Sequence, residues 1–264
     1  MQHVWFSGLL WLAGLSVASA APSAPVPHHH HEHHPGALWN IVHHQCLPAL
    51  KRGGKAMPCA YLKPGIHGYA LLKDRRGRAQ YLLMPTARMI GIESPALLAP
   101  GATNYLAQAW SWRGLVSGAL GTALSRNEIA LAVNSKFARS QNQLHIHIDC
   151  VDAGVRQQLD AWQGKLSSHW RWLPAPLKRQ RYRALVVRGQ PLDVDPFRLL
   201  ARDLTPGAGM GAHTLVVVGT TFADGRPGFI VLDGPADLAT GQRGSGEALL
   251  DHRCRIASPA AAAR

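Results

Sequence analysis

The segment Gln143–Cys150 alternates polar and apolar side chains, reading Gln-Leu-His-Ile-His-Ile-Asp-Cys. Because successive side chains of a strand point to opposite faces, the pattern predicts a strand with Gln143, His145, His147 and Asp149 on one face. Two imidazoles and a carboxylate side by side can handle protons, bind a metal ion or attack a phosphorus atom. The other face is apolar and is expected to pack in the core.

Three interpretations of this polar stripe remain open from the pattern alone. It is a hydrogen-bonded polar strand, a zinc site with Asp149 as third ligand, or a nucleophilic histidine for phosphoryl or nucleotidyl transfer. The third interpretation gains from the polar loop at residues 134–142, which offers amides, hydroxyls and cations to phosphate oxygens.

Apolar periodicity and turn residues predict the elements that position the stripe. Helices are expected at Leu38–Leu50, Tyr105–Leu120, Val155–Leu166 and Phe197–Leu204. Strands are expected at Gly68–Asp74, Ala79–Met84, Glu128–Asn134, Gln143–Cys150, His213–Gly219 and Gly228–Asp233. Since hairpins dominate and helices do not alternate regularly with strands, the fold class is α+β with an antiparallel sheet.

The N-terminus predicts export. An apolar run, Val4–Val17, precedes Ala18-Ser19-Ala20, which reads as a secretory signal or a borderline membrane anchor within residues 1–20. A linker rich in His and Pro follows at 21–37, then a single folded domain at 38–257 and an Ala-rich tail at 258–264. The expected location is the inner membrane on its periplasmic side, or the periplasm after cleavage.

The composition and net charge of the chain limit the classes of partner that it can bind. The 264 residues include 28 Lys+Arg and 15 Asp+Glu, a net charge of +13, and the 47% apolar content excludes global disorder. The charge suits anionic lipid, phosphate-rich ligands or nucleic acid, and export argues against nucleic acid. Four Cys in an exported chain predict two disulfides, and of three pairings we favour Cys46–Cys59 and Cys150–Cys254. The first closes a local loop, and the second ties the chain end to the middle of the fold.

The chain also resembles a known family, the bacterial CDP-diacylglycerol pyrophosphatases, and through His145-Ile-His147-Ile it is similar to the histidine triad superfamily. The resemblance covers about residues 38 to 256. It is carried by Gln45-Cys46-Leu47-Pro48, Pro58-Cys59-Ala60, Lys63-Pro64, Gly68-Tyr69, Leu72-Lys73-Asp74, Gln80-Tyr-Leu-Leu-Met-Pro-Thr86, Gly91-Ile-Glu-Ser-Pro95, Asn134-Ser135, Gln141-Asn142 and Asp251-His252-Arg253-Cys254.

The resemblance implies a histidine triad-like antiparallel sheet with packed helices, and hydrolysis of CDP-diacylglycerol to CMP and phosphatidate. His145 would attack the phosphorus and form a cytidylyl-histidine intermediate. Gln143 stands where the superfamily has its first histidine, so it can donate a hydrogen bond but carries no charge. Substrate-binding roles fall to His147, Gln143, Ser140, Asn134 and Asp74. No metal and no cofactor is implied, and the partner is CDP-diacylglycerol at the inner-membrane surface.

Two alternatives are kept open. One is a histidine triad-type hydrolase that acts on a soluble nucleotide diphosphate ester. The other is a non-enzymatic, exported, His-rich module that binds metal through the linker histidines or through His145 and His147.

Overall fold

In the computed structural model, which describes residues 1–3, 34–205 and 208–257, nine strands form one antiparallel sheet. The strands are β1 Tyr61–Lys63, β2 Tyr69–Lys73, β3 Tyr81–Pro85, β4 Ile129–Val133, β5 Ile146–Cys150, β6 Arg171–Trp172, β7 Arg183–Arg188, β8 His213–Thr221 and β9 Pro227–Pro235. Their order is β1-β2-β3-β5-β4-β8-β9-β7-β6. The expected α+β class with an antiparallel sheet is confirmed, and both hairpins, β2–β3 and β8–β9, form.

The helices are short and flank the sheet. They are α1 Ala37–Asn40, which continues through a π-helical turn at Ile41–Cys46 into α2 Leu47–Gly53, then α3 Tyr105–Ser111, α4 Gly114–Leu120, α5 Ala153–Trp162 and α6 Pro196–Asp203. The carboxylates of Asp152 and Asp195 accept from the first backbone N–H groups of α5 and α6. These caps explain why both helices begin where they do.

The expected single helix Tyr105–Leu120 is wrong, because the chain divides it at Trp112 and Arg113. The N–H groups of these two residues bond to carbonyls three positions earlier, which tightens the turn between α3 and α4. Trp112 Nε1 also donates to the Tyr69 hydroxyl at 3.0 Å. Side-chain contacts to the sheet therefore break a helix that periodicity alone would continue.

The two faces of the sheet are covered differently. One face carries a large core that includes Leu83, Ile146, Leu131 and Leu215, packed beneath α3, α4 and α6. The other face carries two separate cores. The first core packs strands β1–β3 against the first helical segment, through Leu62, Ala70, Leu82, Met84, Leu38, Val42 and Cys46. The second packs β4 and β8 against α5, through Ala130, Ala132, Val216, Val218, Val155 and Leu159.

Strand β5 lies at the boundary between those two cores. In the sheet register His147 stands opposite Leu82 of β3 on one side and Ala132 of β4 on the other. Because Ile146 and Ile148 enter the large core, His147 and Asp149 must point to the divided face. The polar stripe therefore follows a boundary that neither apolar cluster covers.

The structure forms the disulfides Cys46–Cys59 and Cys150–Cys254, the pairing expected from the sequence. Residues 34–205 and 208–257 belong to one compact unit. Nearly all of the expected leader 1–20 and linker 21–37, and the tail 258–264, lie outside the described residues. No helix within the described part is long and apolar enough to cross a bilayer.

Candidate active site

His145 lies immediately before β5 and is 7% exposed. Its Nδ1 is 2.8 Å from the Gln143 carbonyl oxygen. A carbonyl oxygen only accepts, so Nδ1 carries the hydrogen and Nε2 keeps its lone pair. Burial lowers the pKa of His145, although the Gln143 carbonyl and the carboxylates of Glu247 and Asp74 oppose that effect. The ring is therefore a neutral imidazole with a basic Nε2, which is the form that attacks phosphorus.

Gln143 is fully buried and holds the chain before His145 in place. Its Nε2 donates to the carbonyls of Pro85 and Ala87 at 2.9 and 3.0 Å, and its Oε1 accepts from Met89 N at 3.4 Å. The amide is thus used within the protein, and a phosphate contact would require breaking these bonds. The expected strand start at Gln143 is wrong, since β5 begins at Ile146. Side-chain bonds, rather than strand pairing, hold residue 143.

His147 stands next to His145, with ring centroids 5.0 Å apart and rings nearly perpendicular. It is 4% exposed, and among the described residues neither ring nitrogen has a hydrogen-bond partner. Burial lowers the pKa of His147 to about 4, with Glu247 opposing that effect. Buried polar atoms without partners are rare in proteins, and here they belong to a residue of the polar stripe. His147 can therefore take a further hydrogen-bond partner.

Glu247 and His252 lie beside His147, although the sequence pattern predicted a role for neither. Glu247 Oε2 lies 3.5 Å from His147 Nε2, and Glu247 Oε1 lies 3.2 Å from His252 Nε2. His252 Nδ1 is in turn 2.8 Å from Asp149 Oδ2. A continuous chain of charged and polar groups thus runs from His147 through Glu247 and His252 to Asp149.

The charges along this chain follow from its contacts. The hydrogen bonds to Asp149 and Glu247 raise the pKa of His252 to about 10, so the ring is a cation at neutral pH. Burial acts to raise the pKa of Glu247, but the bond to His252 and the nearby His147 and Asn134 lower it to about 2. His252 therefore places one positive charge between two carboxylates, and burial acts to raise the pKa of Asp149, the more deeply buried of the two.

The remaining residues of the expected site are placed as follows. Asn134 is buried; its Nδ2 donates to Glu247 Oε2 at 3.2 Å, and its Oδ1 accepts from Glu247 N at 3.1 Å. Ser140 is exposed at the end of the loop, and its hydroxyl bonds to no residue in the described ranges. The Asp74 carboxylate accepts hydrogen bonds from Gln80 Nε2 and Arg76 N, and these bonds stabilise the β2–β3 turn. Asn134 thus belongs to the Glu247 network, whereas Ser140 and Asp74 lie outside it.

The zinc alternative has little support in the residues that it requires. Asp149, its third ligand, accepts from Cys150 N and faces His252. Among the described residues, the group of three close candidate ligands is Asp149, Cys150 and Cys254, and those two sulfurs are bonded to each other. A disulfide offers no thiolate for a metal.

Comparison with known proteins assigns the chain to a family. The sequence profile of the CDP-diacylglycerol pyrophosphatases matches residues 33–258, a range that contains His145, His147, Glu247 and His252. A curated protein from Yersinia pestis, named CDP-diacylglycerol pyrophosphatase, is 38% identical over 223 residues, which cover 83% of this chain and 84% of that protein. The expectation drawn from the motifs is therefore confirmed: the chain belongs to the CDP-diacylglycerol pyrophosphatase family.

Proposed function

We propose that this chain hydrolyses CDP-diacylglycerol to CMP and phosphatidate with His145 as the nucleophile. Membership in the family supports the reaction. The observation that carries the role of His145 is the bond from its Nδ1 to the Gln143 carbonyl, because that bond leaves Nε2 unprotonated. Lowering of its pKa by burial keeps the ring neutral at physiological pH.

The reaction proceeds in two displacements at the phosphorus that bears cytidine. Nε2 of His145 forms a bond to that phosphorus while its bond to the phosphatidate oxygen breaks, and phosphatidate leaves. The positive charge on the substituted ring is stabilised by the Gln143 carbonyl at Nδ1. Water then attacks the phosphorus, the P–N bond breaks, and CMP leaves with release of one proton. Two displacements with a good leaving group replace one difficult attack by water.

His147 is the group that we place on the phosphate oxygens. Its two ring nitrogens are buried without partners, and its ring lies beside His145. With Glu247 beside Nε2, an arriving phosphate oxygen would meet the ring at its other nitrogen, and like Glu247 the anion would oppose the effect of burial on the His147 pKa. Glu247 holds the opposite side of the ring and Asn134 holds Glu247. Ser140 stays a candidate for the leaving phosphate, whereas Gln143 acts by positioning.

A trapping experiment tests the nucleophile. The full chain is mixed with CDP-diacylglycerol that carries radiolabel on the phosphate next to cytidine, in EDTA, and is quenched in denaturant. We expect alkali-stable, acid-labile label on the protein and release of CMP. His145→Ala should abolish both, whereas His169→Ala, an exposed histidine away from the site, should change neither. Undiminished CMP release by His145→Ala contradicts the proposal. A soluble CDP ester cleaved as fast as the lipid favours the alternative substrate class.

We propose further that the domain is histidine triad-like and is exported. The pair His145-Ile-His147 on a strand of an antiparallel sheet supports the first, and the run Val4–Val17 with two disulfides in the domain supports the second. The proposed place is the periplasmic side of the inner membrane. Mass spectrometry of the mature N-terminus and fractionation of cells would test it, and a full-length protein recovered from the cytosol would contradict it.

A further inference from the structure

Three side chains in the β1–β2 turn and just after β3 are exposed, and two of them are large and apolar. Ile66, in the β1–β2 turn, is 73% exposed, and Ile90, after β3, is 49% exposed. Trp39 is half-buried, and the exposed Arg88 guanidinium lies 4.9 Å from its ring. We call these four residues the Ile90 surface. Exposed apolar groups next to an aromatic ring and a cation are typical of a contact with a partner.

These residues are joined to one another and to the site by a short series of contacts. The hydroxyl of Thr86 donates to the Gly65 carbonyl beside Ile66, and the Thr86 carbonyl accepts from His43, whose ring stacks on Trp39 at 3.5 Å. The residue before Ile90, Met89, exchanges bonds with Gln143 Oε1 and Leu144 N. The Ile90 surface therefore borders the segment that holds His145.

The net charge of this region is positive. Between His34 and Ile92 the sequence contains one carboxylate, Asp74, and nine lysines and arginines, of which four lie with Asp74 at the β2–β3 turn and five lie elsewhere, at positions 51, 52, 55, 63 and 88. Asp74 lies in the β2–β3 turn, at the opposite end of the hairpin from Pro85 and Thr86. The nearest following carboxylate, Glu93, is paired with Arg139. The surface around Ile66 and Ile90 is therefore complementary to an anionic partner.

The course of the chain identifies that partner. The Gln141 Nε2 donates to the His34 carbonyl, and Asn142 N donates to the Pro35 carbonyl. Residues 34 and 35, which follow the apolar run Val4–Val17 in the sequence, thus lie against the loop that leads into His145. Trp at such a border is characteristic of the lipid–water interface.

We propose that the Ile90 surface docks on an anionic phospholipid bilayer and so brings His145 to a lipid substrate. The proposal rests on the proposed function, since a lipid diphosphate must be reached at a membrane. The basic stretch 178–183 is the less suitable surface. Two of its four cations are already ion-paired, Lys178 with Asp152 and Arg183 with Asp233, and Arg181 lies over the Trp172 ring.

Two measurements on the full chain test the docking surface. In the first, hydrogen exchange is followed with and without vesicles of equal parts phosphatidylglycerol and phosphatidylcholine. Peptides covering 35–44, 64–68 and 86–92 should gain protection, and the segment 193–203 around α6 should not. In the second, hydrolysis of CDP-diacylglycerol is compared in these vesicles and in detergent micelles.

The double variant Ile66→Glu with Ile90→Glu should lower kcat/KM in vesicles by at least about tenfold, because a buried isoleucine is worth more than 1.4 kcal/mol. In micelles the kcat/KM of the double variant should stay within about twofold of the value for the unaltered chain. Val194→Glu replaces an exposed apolar residue at the start of α6 and serves as the control, with no change expected in either medium.

Two results would overturn the docking surface. One is that vesicles leave the exchange of 64–68 and 86–92 unchanged, and the other is that they protect mainly 171–183. An equal loss in vesicles and micelles would do so as well. A chain that cleaves no CDP-diacylglycerol even in micelles would contradict the proposed function, whereas the exchange result would still report on docking.

Discussion

Replacing His252 by glutamine keeps a polar side chain but removes the positive charge between Asp149 and Glu247. The two hydrogen bonds raise the pKa of His252 from 6.5 to about 10. Because a tenfold change in an equilibrium is worth ~1.4 kcal/mol, this difference corresponds to at most about 5 kcal/mol of stability. The side chain is 32% exposed, and solvent screening reduces the contribution to about 2 kcal/mol.

The pH dependence makes this prediction specific. A histidine whose pKa rises on folding stabilises the protein fully below pH 6.5, and the contribution is lost as the pH rises toward about 10. We expect the difference in unfolding free energy between the unaltered chain and His252→Gln to be largest near pH 6 and to shrink steadily toward pH 9. Urea unfolding at several pH values in this range, with the disulfides intact, measures it.

A matched control comes from His169, an exposed histidine outside the network. His169→Gln should leave the unfolding free energy within about 0.5 kcal/mol of the unaltered chain at every pH. A His252→Gln difference that stays constant from pH 6 to pH 9, or one that grows, would refute the reasoning. Either result would mean that the imidazole is not held as a cation by Asp149 and Glu247.

Three further predictions concern the same site. Gln143→His, which places the superfamily's residue at that position, should lower kcat by at least about tenfold, because an imidazole cannot make the three bonds to residues 85, 87 and 89; an increase in CMP release would contradict this. Burial lowers the pKa of His145, so the acid limb of the kcat/KM profile should lie below pH 6.5, and a limb above that value would argue against a neutral nucleophile. Glu247→Gln should lower the free energy of unfolding near pH 7, measured by urea unfolding. The difference in unfolding free energy from the unaltered chain should fade as the pH drops from 4.5 to about 2, because a carboxylate with a lowered pKa loses its stabilising effect over that range. A Glu247→Gln difference that persists at the acid end would contradict the ion-pair role.

The sequence predicted much of the frame and the centre of the site. Alternation at residues 143–150 and two hairpin signals led to an antiparallel sheet with the histidines on one face. These signals are local, since a strand period and a turn are encoded by neighbouring residues. They fail where a side chain makes a tertiary bond, as at Gln143, whose amide takes the place of strand pairing, and at Trp112, where a contact to Tyr69 ends α3.

The tertiary structure alone placed Glu247 and His252 at the histidines. They lie in the segment 246–252, which shows no strong periodicity, and about 100 residues separate them from His147. The Cys150–Cys254 bridge, with a sequence separation of 104, holds that segment against the end of β5. Sequence by itself determined the residue types that can attack phosphorus. Packing decided their protonation, because burial and the distance to a carboxylate set the charge of each imidazole.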